Sequence, residues 1–490
     1  MGARAILIAS NRGPVSFEPD EEGELQAKRG TGGLVTALTG ALQMTGGLWI
    51  AAAMSEGDRL QASASPDGRI EVLAEDAKYD LRYLAPPEET FDRYYNVISN
   101  RVLWFLHHYL WDTVRSPRFG ASTRHAWEDY IRVNRLFAEA LTEEGAAQHR
   151  PPAYLVQDYH LSLTPAMLRE RRPDASIAHF SHTPFAGPTW LRVLPNYMAS
   201  ALVRGLLGAD VLGFHSEAWA ENFLLCCRHI EGVEVDLDGR IVRADGRDIH
   251  VGVYPISVDP EALAAAEVDP EVRRQRRALA RWRGDAKMIL RVDRSELSKN
   301  ILRGLLAYET FLERYPSWRG KVRHLAMLNP SRRAIPEYRA YTRECLAIAE
   351  RINNDLGTPD WQPVDVRVKD DYLGAVAAYG QYDVLMVNPV FDGMNLVAME
   401  GPLVNRRNGA VILSRNTGAC PLLGEHAIVV NPFDVGEMAE AIHRALIMKE
   451  DERARRAKGL RKAIRDNPLS LWVQRQLDDL ERVTAGRERS

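Results

Sequence analysis

Short apolar runs alternate along the chain with longer stretches whose apolar positions recur every three or four residues. In the first half the runs at residues 5–9, Trp49 to Ala53, Ala153 to Gln157, Ser176 to Phe180 and Val211 to Phe214 predict buried parallel strands. In the second half Met288 to Val292, Val322 to Leu328, Val364 to Val368, Asp383 to Val387, Ala410 to Leu413 and Ala427 to Val430 repeat the pattern. Strands separated by helical stretches predict an α/β fold with two Rossmann-like sheets. Tyr94 to Leu141 carries its apolar residues at helical spacing, with Leu106, Tyr130 and Phe137 as core. Val233 to Val253 differs: Asp238-Gly239 and Asp245-Gly246 are type I′ turn signals between short alternating runs, predicting a small antiparallel meander. Tyr254 to Asp259 then reads as a crossover, and Leu469 to Thr484, bearing Trp472, as a closing amphipathic helix.

With 490 residues the chain exceeds one typical core, and the pattern divides it at 1–255, 256–468 and 469–490. A net charge of −3, with both signs interspersed, argues against a polyanion partner, so no nucleic acid is expected. The run Glu450 to Arg465 reads as a solvated helix face. Cys226, Cys227, Cys345 and Cys420 lack zinc-ligand spacing and predict reduced thiols. The chain enters its first strand without an h-region and no apolar run approaches the ~20 residues of a bilayer span, so a cytoplasmic protein with no membrane partner is expected. Met1-Gly2 invites a lipidation reading, but Ile6 stands where that motif wants Ser or Thr. There is no HExxH motif, strand-end DxD or Cys/His cluster, so neither metal nor cofactor is expected. A homo-oligomer is left open.

The densest chemistry lies in Asp392-Gly393-Met394-Asn395-Leu396-Val397-Ala398-Met399-Glu400, which follows a predicted strand, turns at Asn388 to Gly393 and should start a helix. Backbone N–H groups at such a start (Gly393 to Leu396) lack intrahelical partners and can hold a diphosphate. Asp392 would then face an uncharged group such as a sugar hydroxyl, and Glu400, expected about two turns into the helix, the hydroxyls of a ribose. An ordinary helix with an Asp cap fits the same residues. Asp158 and His182 each follow a predicted strand, where parallel sheets present ligand-binding residues. His160 and His179 have less context.

Arg12 in Ser10-Asn11-Arg12, Thr31-Gly32-Gly33-Leu34, Tyr94-Tyr95-Asn96, Val102-Leu103-Trp104, Asp158-Tyr159-His160-Leu161, His182-Thr183-Pro184-Phe185, Pro330-Ser331-Arg332 and the Asp392 to Glu400 run occur in this order. In these motifs the chain resembles the trehalose-6-phosphate synthases over residues 5–480. The resemblance implies a GT-B type fold, two Rossmann-like domains facing a central cleft, with the last helix returning to the N-terminal, acceptor-binding domain. It implies a retaining glycosyltransferase whose small-molecule substrates are a nucleoside diphosphate glucose and glucose 6-phosphate. The expected catalytic set is Asp158, His182, Arg294, Lys299 and Asp392. Donor binding adds Gly33, Val368 in the Val366 to Asp370 stretch, Gly393, Met394, Asn395, Leu396, Val397 and Glu400. Acceptor binding falls to Arg12, Tyr95, Trp104, Asp158 and Arg332, the two arginines clamping the phosphate because forked guanidinium donors match its oxygens.

Four positions depart from the family pattern. Glu296 and Leu297 replace the usual Asp and Tyr between Arg294 and Lys299, Asn300 replaces Gly, and Ala52 stands where a second Trp is common. Arg291, inside its strand, competes with Arg294 and Lys299 as a diphosphate cation. The altered loop resembles the actinobacterial branch and leans the donor towards GDP-glucose over UDP-glucose. Two other functions share these residues: a pseudo-glycosyltransferase joining a cyclitol nucleotide to an aminocyclitol phosphate, and a non-catalytic sugar-phosphate sensor.

Overall fold

In the computed structural model the described residues are 4–20, 24–29, 35, 37–40, 42, 47–65, 67–74 and 77–485. The turn at 31–34, including Gly33, lies outside them. Packing divides the chain into two compact units, Met1–Ile256 with Leu469–Ser490, and Ser257–Pro468.

The first unit is built on β1 (Ile6–Ser10), β4 (Leu48–Ala52), β7 (Ala153–Gln157), β8 (Ser176–Phe180) and β9 (Val211–Phe214), all parallel and buried along their length. Both faces are covered by helices, which is why these strands read as continuous apolar runs. Two features escaped the apolar pattern. A hairpin joins β2 (Val15–Pro19) to β3 (Leu25–Arg29), and β5 (Arg69–Ala74) pairs antiparallel with β6 (Ala77–Leu84) at the sheet edge. In β6 charged residues alternate with buried Tyr79, Leu81 and Tyr83, the signature of a strand with one wet face. The expected meander exists as β10 (Glu234–Asp236), β11 (Ile241–Ala244) and β12 (Arg247–Val253), but β12 pairs parallel with β9 and so extends the main sheet. Asp245 and Gly246 both have positive φ as a type I′ turn requires, whereas at the first turn the left-handed residue is Arg240.

The order β10-β11-β12-β9-β8-β7-β1-β4-β6-β5 sends the chain outward in one direction from β1 and in the other from β7. The carboxyl ends of that neighbouring pair carry Arg12 and Asp158. The helical stretch predicted from Tyr94 is broken: Arg93–Leu103 is a π-helix, Trp104–His107 is α-helical, and a new helix runs from Ala121 to Ala146. The terminal helix Leu469–Thr484 belongs to this unit and packs on β8, β9 and β12. Its buried Trp472 meets Phe180 edge-on at 4.9 Å between ring centres, and its Asp479 accepts a 2.6 Å hydrogen bond from Tyr254.

The second unit is a six-stranded parallel sheet of β13 (Lys287–Arg294), β14 (Val322–Asn329), β15 (Val364–Val368), β16 (Val384–Val387), β17 (Ala410–Ser414) and β18 (Ile428–Val430), in the order β15-β14-β13-β16-β17-β18. The order reverses between β13 and β16, so the loops leaving those two strands lie side by side at a topological switch point, where open α/β sheets bind ligands. Among the described residues no helix is long and apolar enough to cross a membrane.

Trp472→Ala should remove a buried aromatic and cost ~3–5 kcal/mol of stability, while Trp472→Phe should cost much less. Thermal melting of the two variants measures this. Equal, small shifts would show that the terminal helix contributes little to the sheet it covers.

Candidate functional site

In the second unit the loop after β13 is organised by Arg291. This guanidinium is fully buried. It pairs with Asp293 (Nε to Oδ2 2.9 Å) and donates to the carbonyl of Lys299 (2.9 Å), the carbonyl of Ile301 (3.4 Å) and Oδ1 of Asn388 (3.1 Å). Gly304 makes room for it, since a Cβ there would stand 2.4 Å from an Arg291 nitrogen. Arg291 is therefore a structural ion, and the competition for a diphosphate-facing cation goes against it: its donors tie the β13 loop to the β16 loop. Asn300 takes the left-handed conformation, φ 58°, ψ 39°, which asparagine and aspartate enter more readily than other non-glycine residues. Its side-chain amide donates to the carbonyls of Asn388 (2.9 Å) and Pro432 (2.7 Å), so Asn supplies both the glycine-like backbone and an anchor.

The two cations of this loop have different settings. Lys299 Nζ sits 2.5 Å from Asp392 Oδ2, both side chains nearly buried, and the same oxygen accepts from Asn395 Nδ2 at 3.1 Å. Asp392, expected beside an uncharged group such as a sugar hydroxyl, thus also neutralises Lys299. Arg294, at the end of β13, keeps 48 % of its side chain exposed and reaches Glu296 Oε1 at 3.0 Å. Arg332, after β14, lies 3.4 Å from that oxygen, is 9 % exposed, and donates to Tyr338 Oη at 2.9 Å. Its φ of +45° is unusual for a non-glycine residue, as strained backbone at binding sites often is. Ser331 Oγ donates to Oε1 as well, at 2.7 Å. Burial pushes the Glu296 pKa up, but Arg294, Arg332, Lys299 and the Ser331 hydroxyl outweigh it and leave the carboxyl at about 2.

The run after β16 also differs from expectation. Its helix is Val397–Val404, beginning after Leu396 rather than at Gly393, and Glu400 sits in its first turn instead of two turns in. The cause is Asn395, left-handed at φ 72°, which breaks helical geometry between Asp392 and Leu396. That loop docks on the 416–419 segment: Asp392 N–H donates to Asn416 O, and Ala419 N–H to Met394 O. Among the described residues the N–H groups of Met394, Asn395 and Leu396 have no acceptor, so the anion-ready donors persist in a loop. Glu400, partly buried, accepts from Tyr379 Oη at 2.9 Å; burial raises its pKa and that bond opposes the rise. Val368 ends β15 and lines a cavity of about 290 Å³ with Ser295, Ser331, Tyr338 and Thr342. Ser295 Oγ, Ser298 Oγ, Glu296 Oε2 and Asn395 Oδ1 are all buried without a hydrogen-bond partner among the described residues. Such atoms are rare in native proteins, and these four lie in the loops that leave β13 and β16.

In the first unit the structure brings Asp158 and His182 together. Asp158 has φ 70° and ψ 170°, a region otherwise nearly confined to glycine, and its Oδ1 accepts from the His182 N–H at 3.1 Å. His182 Nε2 is 3.0 Å from Gln157 Oε1; an amide oxygen only accepts, so Nε2 carries the proton and Nδ1 the lone pair. Burial, then the neighbouring His215, His179 and His160, pull its pKa well below 6.5, so the ring is neutral. Trp472 stands behind it, 5.6 Å between ring centres. Tyr95 stacks between Phe91 (5.5 Å) and His160 (5.8 Å). Trp104 is only 7 % exposed and stacks on His108 at 3.9 Å, so its ring serves first as packing. Arg12 is exposed beyond β1, its carbonyl held by Ser10 Oγ, which in turn accepts from the buried Trp49 Nε1, both at 2.7 Å. Ala52 is buried at the end of β4. Gln157, Tyr338 and Tyr379 went unnoticed in the sequence. Only Gln157 had a signal, as the last residue of a strand directly before Asp158.

Residues 4–482 match the family model of glycosyltransferase family 20. Two similar relatives are 32 % identical: a validamine 7-phosphate valienyltransferase of Streptomyces hygroscopicus subsp. jinggangensis, over 99 % of this chain and 96 % of that protein, and an alpha,alpha-trehalose-phosphate synthase [UDP-forming] 2 of Aspergillus niger, over 99 % and 98 %. An alpha,alpha-trehalose 6-phosphate synthase structure from Burkholderia multivorans superimposes with a TM-score of 0.86 at 29 % identity, covering 100 % of this chain and 98 % of that one. An E. coli structure bound with UDP-2-fluoro glucose gives 0.83 at 29 % identity over 97 % and 99 %.

His179, buried and donating to the Asp158 carbonyl, has its pKa lowered to about 4 by burial. The unfolded chain takes up this proton near 6.5 and the fold resists it, so stability present above 6.5 is lost as pH falls towards 4. At about 1.4 kcal/mol per pH unit for one such histidine, His179→Gln should flatten melting temperature against pH in that window. Identical slopes for variant and wild type would remove His179 from the acid response.

Proposed function

The chain belongs to glycosyltransferase family 20, the trehalose-6-phosphate synthase family, and we propose that it transfers glucose with retention from a nucleoside diphosphate glucose to the anomeric hydroxyl of glucose 6-phosphate, forming α,α-trehalose 6-phosphate. The observation that carries this reading is the pairing, at the switch point of the second unit, of the Lys299–Asp392 ion pair with N–H groups at Met394 to Leu396 that have no acceptor among the described residues. A diphosphate is an anion that such donors stabilise, and the need grows as its bond to the sugar breaks. Arg294, half exposed, adds a second cation. Glu400 suits the ribose hydroxyls, and Val368 the base. Gly33 and Val397 complete the donor set of this reading.

In the reaction the bond from the anomeric carbon to the diphosphate oxygen breaks, a bond to the acceptor oxygen forms on the same face, and the acceptor proton passes to the departing phosphate. Neutral His182 offers Nδ1 to a donor-sugar hydroxyl, and Asp158 holds the His182 backbone while facing the acceptor. A glycosidase pair would need one carboxylic acid and one carboxylate flanking the bond, whereas Asp392 is already engaged by Lys299. Arg12 and Arg332 take the acceptor phosphate, with Tyr95 and Trp104 beside the sugar. We lean towards GDP-glucose as donor. The sensor reading is not supported by retention of Arg294, Lys299 and Asp392. A second reading, coupling of a cyclitol nucleotide to an aminocyclitol phosphate, draws support from the similarity to the valienyltransferase.

Mass spectrometry of products from GDP-glucose or UDP-glucose, with and without glucose 6-phosphate, tests the reading. Trehalose 6-phosphate is expected, in excess EDTA as well, since side-chain cations serve the diphosphate. No disaccharide phosphate with either donor would sink it. Arg294→Ala should lower kcat/KM at least ~10²-fold, the scale of a lost transition-state charge stabiliser, and a folded variant with near-normal turnover would take Arg294 off the donor. Arg12→Ala and Arg332→Ala should each raise the acceptor KM roughly 10 to 100-fold, matching a charge-assisted bond of ~1.5–3 kcal/mol, with donor KM nearly unchanged. Unchanged preference for glucose 6-phosphate over glucose in both variants would refute the phosphate clamp.

A further inference from the structure

Glu296 is one of the residues by which this chain departs from its family pattern, and the structure gives it an unusual setting. It is fully buried, yet it carries its charge among Arg294, Arg332 and Lys299. Oε1 lies 3.0 Å from Arg294 and 3.4 Å from Arg332 and accepts a 2.7 Å hydrogen bond from the Ser331 hydroxyl. Among the described residues Oε2 is buried with no hydrogen-bond partner. A carboxylate placed for stability would use both oxygens, because leaving one buried and unsatisfied is costly. This one instead forms ion pairs with two guanidiniums from different strand ends, β13 and β14, and takes its hydrogen bond from Ser331 on the same oxygen.

We propose that Glu296 is a positioning residue that sets the orientation of Arg294 and Arg332 together, so that one buried carboxylate aligns both the leaving-group cation and the acceptor-phosphate cation. The assignment of those two cations rests on the proposed function; the orientation itself does not. Glu296 partly neutralises each arginine and so opposes tight ground-state binding of phosphates. Its contribution lies in geometry, and geometry acts on turnover more than on affinity.

The test uses the full chain with Glu296→Gln, which keeps the shape and removes the charge, Glu296→Asp, which keeps the charge, and Ser331→Ala, which removes the neutral donor. In Glu296→Gln, kcat should fall ~10 to 100-fold while the KM for donor and for acceptor stays level or drops. Glu296→Asp should recover most of the lost kcat, and Ser331→Ala should fall between wild type and Glu296→Gln. A residue that only braced the fold would instead raise both KM values in step with a lowered melting temperature, and that pattern overturns the proposal, as does a Glu296→Gln kcat within twofold of wild type. Guanidinium Nε–H NMR signals of Arg294 and Arg332, assigned through Arg294→Lys and Arg332→Lys, supply a readout independent of the reaction. Both should shift in Glu296→Gln whatever product the enzyme makes. Shifted signals without trehalose 6-phosphate would leave the positioning role standing and remove the functional reading; unshifted signals would remove the positioning role.

Discussion

A buried guanidinium in the middle of a parallel strand must be satisfied on every side, and in this protein that requirement falls on Arg291. Removing one partner from such an ion costs ~3–5 kcal/mol, so Asp293, the carbonyls of Lys299 and Ile301, and Asn388 are bound to it as a set. The set spans the ends of β13 and β16, the two strands at which the sheet order reverses. Lys299 is presented where its backbone is held, and Asn388 begins the turn that delivers Asp392. The Lys299–Asp392 pair is thus the outward consequence of an inward constraint. Gly304 and left-handed Asn300 are the local accommodations it demands.

The first unit arrives at its site by a different device. Its switch point lies between β1 and β7, and strain rather than buried charge marks the position: Asp158 holds a backbone conformation that costs on the order of 1–3 kcal/mol and is kept there by neighbours. The Asp158 carboxylate fixes the His182 backbone, Gln157 fixes its tautomer, and Trp472 from the terminal helix closes the space behind the ring. Burial keeps that imidazole neutral, which suits hydrogen bonding to a hydroxyl and not charge stabilisation. In the second unit Arg294 and Lys299 share the switch-point loops with N–H groups that have no acceptor among the described residues.

Glu296 shows how a departure from a family pattern is to be read physically. On the page of the sequence it is one acidic residue in a changed loop. In the fold it is the common partner of two arginines far apart in sequence, Arg294 and Arg332, at neighbouring parallel strand ends. Asn300 is the opposite case: it looks like a disruption of a glycine position and keeps the backbone a glycine would have.

The sequence by itself determined the α/β class, the parallel strands and the order of the candidate motifs, because a strand buried on both faces needs a continuous apolar run and that run is visible in one dimension. It also placed the candidate residues Arg12, Asp158, His182, Lys299, Arg332 and Asp392 just after strands, which is where they lie. The half-wet strands β5 and β6 and the π-helix from Arg93 were less legible, because their stability comes from neighbours across the sheet and not from local pattern. Only the tertiary structure decided that Arg291 is an internal ion while Arg294 stays half exposed, that Asp392 faces Lys299, and that Asn395 delays the helix to Val397. Each of these depends on which groups meet after burial, where the cost of an unpaired charge sets the partners, and spacing along a chain carries no record of that.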